Sequence, residues 1–203
     1  MTLILKTAPV TSIVSLEEVK KHVNMLNDDN DELLKGYIAS AATYLDGSNG
    51  ILGRAVRTQS WELRINGFPS DSYCYSRNDV MGIDIPLPPL QTIDSFKYVD
   101  TDGSLTDVDI DDYQLIENGN FPATLIPAFD SCWPVARFEP NAVRIEFTAG
   151  FADDSPILAS IKLAVKQIIS LWYENREASV EANLSDLPHG TRALLAPLRI
   201  RTF

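Results

Sequence analysis

The sequence predicts an α+β protein in which helices from the two ends of the chain form a core and a β-rich segment is inserted between them. Apolar residues recur at helical spacing near both ends, whereas residues alternate at strand spacing in the middle. The 203 residues, 45% of them hydrophobic, suffice for one domain whose core needs no metal or disulfide. We therefore predict a single domain, 1–203, with a helical core from 12–50 and 153–198 and a β-rich insertion from 51–152.

The N-terminal part predicts two helices. Ser15 and Glu18 form a capping-box pattern, in which each side chain bonds the other residue's amide, so a helix should run to about Leu26. The acidic turn 27–31 then provides an N-cap, and carboxylates suit the positive end of the next helix. That helix should run from about Asp31 to Leu45 and end at the glycine-containing turn that follows.

Strand patterns fill the middle of the chain. Residues 56–65 alternate in polarity and stop at the Asn-Gly turn of residues 66 and 67. Residues 83–90 form an extended, proline-stiffened segment, which belongs at a sheet edge or a strand start because proline donates no backbone hydrogen bond. Further strands are predicted at 93–99, 113–116, 124–127 and 142–148.

The C-terminal part predicts a long helix, a short helix and a tail. Pro156 suits the first helical position, and Ser155 is its candidate cap. The long helix should reach Arg176 with one broad apolar face, to which Leu163 is the exception. A short helix should cover 191–196, where Pro197 ends it. The tail comprises Leu198, Arg199, Ile200, Arg201, Thr202 and Phe203.

An acidic stretch at residues 97–117 suggests either a calcium loop or a hairpin. An EF-hand loop needs oxygen ligands at positions 1, 3 and 5, glycine at 6 and glutamate at 12. Counting from Asp100 puts leucine at position 6 and aspartate at position 12, so the pattern fails where its sharp turn should be. Asp102 and Gly103, between two strand-like segments, are instead typical of a β-hairpin turn.

Other patterns of catalysis or metal binding are missing from the sequence. The two cysteines, Cys74 and Cys132, form no CxxC pair, which argues against zinc and leaves open whether they pair with each other. The two histidines, His22 and His189, lie on a polar helix face and in a turn. Gly47 to Gly53 follows a helix and precedes a strand, the reverse of a phosphate-binding loop. We therefore assign no catalytic residue, metal or cofactor.

Charge and hydropathy limit the remaining classes of function. The net charge of −11 argues against a protein that holds nucleic acid by its phosphates. Neither a signal peptide nor an apolar stretch of membrane-spanning length is predicted, which favours a soluble protein made in the cytoplasm.

Two features suggest contact surfaces. Trp133 fits a core position better than an interaction loop. The tail alternates arginine with apolar residues and ends in Phe203, a pattern suited to adding a strand to a partner or to packing on its own domain.

The order of these features resembles one known family, the phage head–tail connector proteins. These are the neck adaptors of long-tailed phages, prophages and gene transfer agents. The resemblance extends over nearly the whole chain. It rests on Val14–Lys20, Arg54, Thr58–Trp61, Ile85–Leu90, Tyr98–Gly103, Trp133–Pro134, Phe147–Phe151, Pro156, Tyr173–Glu177 and Leu194–Arg199.

The resemblance implies a structural role without catalysis. Such adaptors form a twelvefold ring under the portal of the virion, extend its DNA channel and provide the docking surface for the stopper or tail. The partners implied are further copies of this chain, the portal protein and a stopper or tail-completion protein, while DNA passes without sequence-specific binding. Residues 198–203 correspond to the segment that anchors on the portal. The alternatives are another neck or tail-completion protein, or an enzyme that uses the acidic hairpin with calcium.

Overall fold

A computed structural model describes residues 1–69, 82–129, 131–175 and 189–200 of the chain. Its contacts divide into two compact units. Unit 1 comprises Met1–Ala8 and Thr58–Gly150, and unit 2 comprises Pro9–Arg57 and Phe151–Phe203. Unit 1 holds the strands and unit 2 the α-helices, so the predicted α+β class, with terminal helices flanking a β-rich region, is confirmed.

The described residues of unit 1 form two antiparallel sheets. The first has five strands in the order β1-β2-β8-β4-β5, and the second has three in the order β3-β7-β6. The strands are β1 (Thr2–Thr7), β2 (Gln59–Ile65), β3 (Ile83–Ile85), β4 (Leu90–Val99), β5 (Leu105–Asp107), β6 (Tyr113–Ile116), β7 (Ala123–Pro127) and β8 (Val143–Ala149).

The core of unit 1 is aromatic. Phe147 on β8 is fully buried and lies opposite Trp61 of β2 and Ile93 of β4. Trp133 stacks on Phe68 with ring centroids 5.1 Å apart, which confirms its predicted core position. Because β2 and β8 alternate in polarity, their apolar side chains share one face of the sheet and their charged side chains share the other.

Unit 2 consists of α1 (Leu16–His22), α2 (Asp31–Leu45), α3 (Pro156–Glu174) and α4 (His189–Leu195). The predicted capping box starts α1: the Ser15 amide donates to the Glu18 carboxylate at 2.8 Å, and the Glu18 amide donates to the Ser15 hydroxyl at 3.1 Å. This helix ends before the predicted Leu26, because Asn24 adopts a left-handed backbone conformation (φ 54°) that a helix cannot contain.

The helices of unit 2 share one apolar core. α2 has the bounds predicted from its sequence, and α3 buries six residues toward the same cluster: Leu158, Ile161, Ala164, Val165, Ile168 and Ile169. Leu163 is exposed, as its place off the apolar face predicts. Leu52 and Phe151 also enter this cluster, so the segments that lead out of α2 and into α3 contribute to it.

Some elements differ from the prediction. β1 was not predicted, yet it pairs with β2 from Thr2 to Thr7. β4 begins at Leu90 rather than at residue 93, because the chain pairs with Ala149 of β8 directly after the proline-rich segment. The behaviour of residues 1–203 as one connector domain stays a prediction.

Candidate assembly surfaces

The described part of the tail lies against unit 2. A 3₁₀ turn, Ala196–Leu198, follows α4, and Leu198 packs against the helical core. The amide of Ile200 then donates a hydrogen bond to the carbonyl of Leu52 at 2.9 Å. A Cβ on Gly53 would lie 3.6 Å from the Cβ of Ile200. Of the two readings of the tail, packing on its own unit holds for residues 198–200, while Arg201, Thr202 and Phe203 lie outside the described residues.

Arg54 is a buried cation next to this contact. Its side chain is 3% exposed, and its guanidinium carbon lies 5.4 Å from the centre of the Phe151 ring. Among the residues that the structure describes, the buried Nε and Nη1 have no hydrogen-bond partner. Burial lowers the pKa of Arg54 to about 10, since water no longer solvates the charge.

Arg57 is also buried but has partners. Its Nη1 donates to the Asp153 carboxylate at 2.5 Å, and its Nε and Nη2 donate to the Thr11 hydroxyl. These bonds fasten the segment before α1 to the segment before α3, so the Arg57 charge is compensated within unit 2.

The acidic residues 100–112 serve local structure. Asp100, Asp102 and Gly103 lie in the turn between β4 and β5, where the Gly103 amide donates to the Asp100 carbonyl at 2.8 Å and Gly103 has a φ of +88°. Asp109 caps a 3₁₀ turn by accepting from the Asp111 amide, and Asp107 lies 3.3 Å from Lys97. These acidic residues therefore have different local roles, in a turn, a cap and an ion pair.

Neither a metal-ligand cluster nor a membrane-spanning helix is present in the described residues. Across the described ranges, no group of three or more histidine, cysteine or acidic side chains could hold a metal ion. Within that same part of the chain, no helix is long and apolar enough to cross a membrane.

An open hollow of about 360 Å³ lies at the end of α1. It is lined by Val23–Asn27, Asn30 and Tyr173, none of which is a carboxylate or a histidine. Cys132 is disulfide-bonded, and Cys74 lies outside the described residues.

A charge network covers the polar face of the five-stranded sheet. Glu62, 3% exposed, accepts two hydrogen bonds from Arg64 at 2.9 and 2.8 Å, and Lys6 bridges toward Glu62 and Glu146. The Arg64 bonds lower the pKa of Glu62, aided by the nearby charges of Arg64, Lys6 and Arg144, although burial acts in the opposite direction. Glu62 therefore stays ionised in a site that would otherwise favour the neutral acid.

This network makes unit 1 sensitive to acid. Since folding lowers the pKa of Glu62, its contribution to stability is present above the unfolded-state pKa of about 4.3 and is lost as pH falls through the lower folded-state value. We expect Glu62→Gln to reduce the free energy of unfolding at pH 7 and to lose that effect toward pH 3. Urea unfolding of wild type and Glu62→Gln at several pH values measures this. The free energy of unfolding of Arg64→Met should likewise approach that of wild type toward pH 3. A constant difference between wild type and Glu62→Gln across this range would contradict the assignment.

Several apolar side chains on the loops of unit 1 are exposed, which the sequence patterns do not predict. Phe138 is 104% exposed, and Phe121 and Val135 are largely exposed as well. Exposed aromatic residues are typical of contact surfaces. The sequence feature that could have indicated this exposure is the presence of phenylalanine in segments otherwise rich in turn residues.

Arg54 is one of the residues that carry the family resemblance, but the sequence does not predict its burial. The available signal was an arginine flanked by apolar residues: Leu52 and Gly53 precede it, and Ala55 and Val56 follow. Such a flank indicates burial but not whether the charge has a partner.

Comparison with known proteins supports the resemblance drawn from the sequence. Residues 13–83 match the family described as phage gp6-like head–tail connector protein. No curated protein matches the chain.

Several solved structures share the fold. A chain in the virion of a native gene transfer agent particle has a TM-score of 0.74 at 22% identity, and a chain in the neck of an empty particle, computed with C6 symmetry, has 0.73 at 20%. A chain in the neck of the native particle, computed with C12 symmetry, has 0.66 at 21%. Each match covers 100% of this chain and 98% of the other. Residues 13–83 are thus similar to the head–tail connector family, as the sequence resemblance predicts, and the whole chain has the fold of chains solved in gene transfer agent particles.

Proposed function

We propose that this chain is a structural head–tail connector of a phage-like particle. Copies of it would form a ring, twelvefold in the virion, beneath the portal, extend the DNA channel and offer the docking surface for a stopper or tail-completion protein. The observation that carries the proposal is the connector-family match over residues 13–83, within a chain whose full length has the fold of gene transfer agent chains. The proposed location is the neck of the virion, after synthesis in the host cytoplasm.

The charge of the chain is compatible with a DNA channel. With 28 acidic against 17 basic residues, the surface of a ring would repel phosphates rather than bind them. Packaged DNA could then move through without sequence-specific contacts. A ring also requires two different faces of one subunit to meet, and a chain with a helical unit and a β unit offers dissimilar faces.

The tail is the proposed portal anchor. Arg199 has an extended backbone, and the hydrogen bond from Ile200 to Leu52 is one that an extended segment could exchange for a bond to another chain. Because Leu198 packs on the helical core, the detachable part begins after it. We propose that the segment after Leu198 docks on the portal, and that Ile200 gives up its hydrogen bond to Leu52 when it does so.

The proposal is tested with portal rings from the same genome. We expect native mass spectrometry to show the wild-type chain bound to the portal with matching stoichiometry, and a chain that ends at Leu198 to remain folded but unbound. Ending the chain at Leu198 keeps the core contact, whereas removing residues 198–203 does not, so the two truncations separate anchoring from stability. A thermal melt of each truncated chain checks its fold.

The outcomes distinguish the alternatives. If the chain ending at Leu198 docks as wild type does, the anchor is elsewhere. A wild-type chain that stays monomeric and ignores the portal would favour another neck or tail-completion protein. Micromolar calcium binding by titration calorimetry, lost in an Asp100→Ala and Asp102→Ala double variant, would favour the calcium enzyme. We propose no catalytic role, since the Asp100 carboxylate accepts a hydrogen bond from the Thr101 amide and the Asp109 carboxylate accepts one from the Asp111 amide.

A further inference from the structure

The polar face of the five-stranded sheet carries a row of cations. Arg144 on β8 lies opposite Arg64 on β2 and opposite Lys97 on β4, so the three basic side chains stand side by side across adjacent strands. Residues directly opposite in antiparallel strands have Cβ atoms about 5 Å apart, and like charges at that spacing repel. We call Arg64, Arg144 and Lys97 the cation row. It lies in a chain with 28 acidic and 17 basic residues.

The outer two members of the cation row each have a carboxylate. Arg64 donates twice to Glu62, and Lys97 lies 3.3 Å from Asp107. Arg144, between them, forms no ion pair with the residues that the structure describes, and its buried Nε has no acceptor among them. The charge of Arg144 helps to lower the pKa of Glu62, but that carboxylate is already bonded to Arg64.

Another carboxylate on this face is also engaged elsewhere. Glu146, two residues after Arg144 on β8, lies 3.1 Å from Nζ of Lys6. Arg144 itself is partly exposed, so its guanidinium can be reached from outside the sheet. A guanidinium presents its donors as a planar fork that matches the two oxygens of one carboxylate. Arg144 therefore has room for an anion that the described part of unit 1 does not supply.

We propose that Arg144 is the centre of a binding site for an acidic side chain of a partner polypeptide. Arg64 and Lys97 add positive potential on either side, while Arg144 provides the free donors. Leu105 on β5 is 49% exposed, and because it lies two residues from Asp107 it is on the same face, one row further along. The partner segment would therefore carry a carboxylate with an apolar residue nearby. This contact surface lies in unit 1 and is separate from the tail.

The acidic residues around the cation row favour a polypeptide over nucleic acid as the occupant. The Asp107 side chain, 74% exposed, lies at one end of the row, and that of Glu146, 41% exposed, lies in the next row. Duplex DNA carries one negative charge per about 1.7 Å of helix axis, so a phosphate at Arg144 would bring further phosphates toward these carboxylates. A single acidic side chain brings one charge, and the apolar Leu105 suits a neighbouring side chain of the same polypeptide.

NMR titration of the free, full-length chain tests the site. The probe is the peptide acetyl-Glu-Gly-Leu-amide, and acetyl-Gln-Gly-Leu-amide is its uncharged counterpart. The Nε–H signal of Arg144 is identified by its loss in Arg144→Met. We expect the acidic peptide to shift this signal together with the methyl signals of Leu105, and the glutamine peptide to shift neither at the same concentration.

Variants then measure the contribution of the charge. Arg144→Met should weaken binding of the acidic peptide, followed at the Leu105 methyl groups, by at least about tenfold, because hydrogen bonds to a charged group are lost. Lys21→Met, which removes an exposed cation on α1, is the matched control and should bind as wild type does.

Thermal melts separate binding from stability. Arg144→Met should melt at the same temperature as wild type or higher, because it removes a cation from between two others and leaves no carboxylate without its donor. Arg64→Met is the comparison and should melt lower at pH 7, since Glu62 then loses both of its hydrogen bonds from Arg64.

Three results would overturn the inference. A melting temperature of Arg144→Met as low as that of Arg64→Met would show that Arg144 stabilises its own sheet. Equal shifts with the glutamate and glutamine peptides would show that the site does not recognise a carboxylate. Inorganic phosphate or a DNA duplex that half-saturates the Arg144 signal at a lower concentration than the acidic peptide, at matched ionic strength, would assign the site to phosphate. None of these measurements involves the portal, so each outcome is independent of the proposed function.

Discussion

Phe147→Ala is expected to lower the free energy of unfolding of unit 1 by about 3–5 kcal/mol. Phe147 lies at the middle of β8, which pairs with both β2 and β4, so its ring is enclosed from both sides of the strand. It is 0% exposed. Truncation removes the apolar contacts of the ring and leaves a cavity. Because β8 is hydrogen-bonded to both β2 and β4, the strands cannot close this cavity without changing their pairing register.

Urea unfolding followed by circular dichroism and tryptophan fluorescence measures this loss. Trp61 lies opposite Phe147, so its emission reports on the same part of the sheet. Phe147→Leu is the control and should cost less than about half as much, because most of the volume remains. A loss of less than about 1.5 kcal/mol for the alanine variant would show that this site lies outside the core of unit 1.

Gly50→Ala is expected to destabilise unit 2 by about 1–3 kcal/mol through overpacking. A Cβ at this position would lie 2.4 Å from the Leu45 carbonyl oxygen and 2.5 Å from that of Asp46. Both contacts are with backbone, which no rotamer change relieves. The turn after α2, held by the bond from the Ile51 amide to the Tyr44 carbonyl, would have to open.

Gly36→Ala supplies a control of opposite sign. Gly36 is exposed within α2, and a Cβ there meets nothing within 4 Å. Alanine should therefore stabilise the helix by about 0.5–1 kcal/mol, since it restricts the unfolded chain without a clash. Thermal melts of the two variants should shift in opposite directions. A shift in the same direction for both would contradict the steric reading of the turn.

Local patterns predicted the elements that depend on local chemistry. The bounds of α2 follow from an acidic start, a helical apolar period and a glycine-containing end, all within the segment itself. The capping box at Ser15 is likewise a contact between near neighbours. The hairpin turn at Asp102 and Gly103 could be predicted from the Asp-Gly pair between two strand-like segments.

The parts that sequence could not predict depend on distant partners. β1 is a short apolar segment that becomes a strand because β2, some fifty residues later, pairs with it. The burial of Arg54 depends on Phe151 from across the β-rich segment. The tail pattern fits a strand on either a partner or its own unit, and contacts with distant residues such as Leu52 are what place residues 198–200 on their own unit.

The division of unit 2 into two separate stretches of sequence has a consequence for biosynthesis. A ribosome delivers α1 and α2 early, but α3 and α4, against which they pack, emerge only after the whole β-rich segment. Unit 1 has all its strands once Ala149 has emerged, whereas unit 2 waits for residues 151–198. At 5–20 residues per second that wait lasts about 2–10 s. During it the amphipathic α2 lacks the helices that it packs against. We therefore expect the β unit to fold first and the apolar face of α2 to be accessible to chaperones until α3 and α4 have emerged.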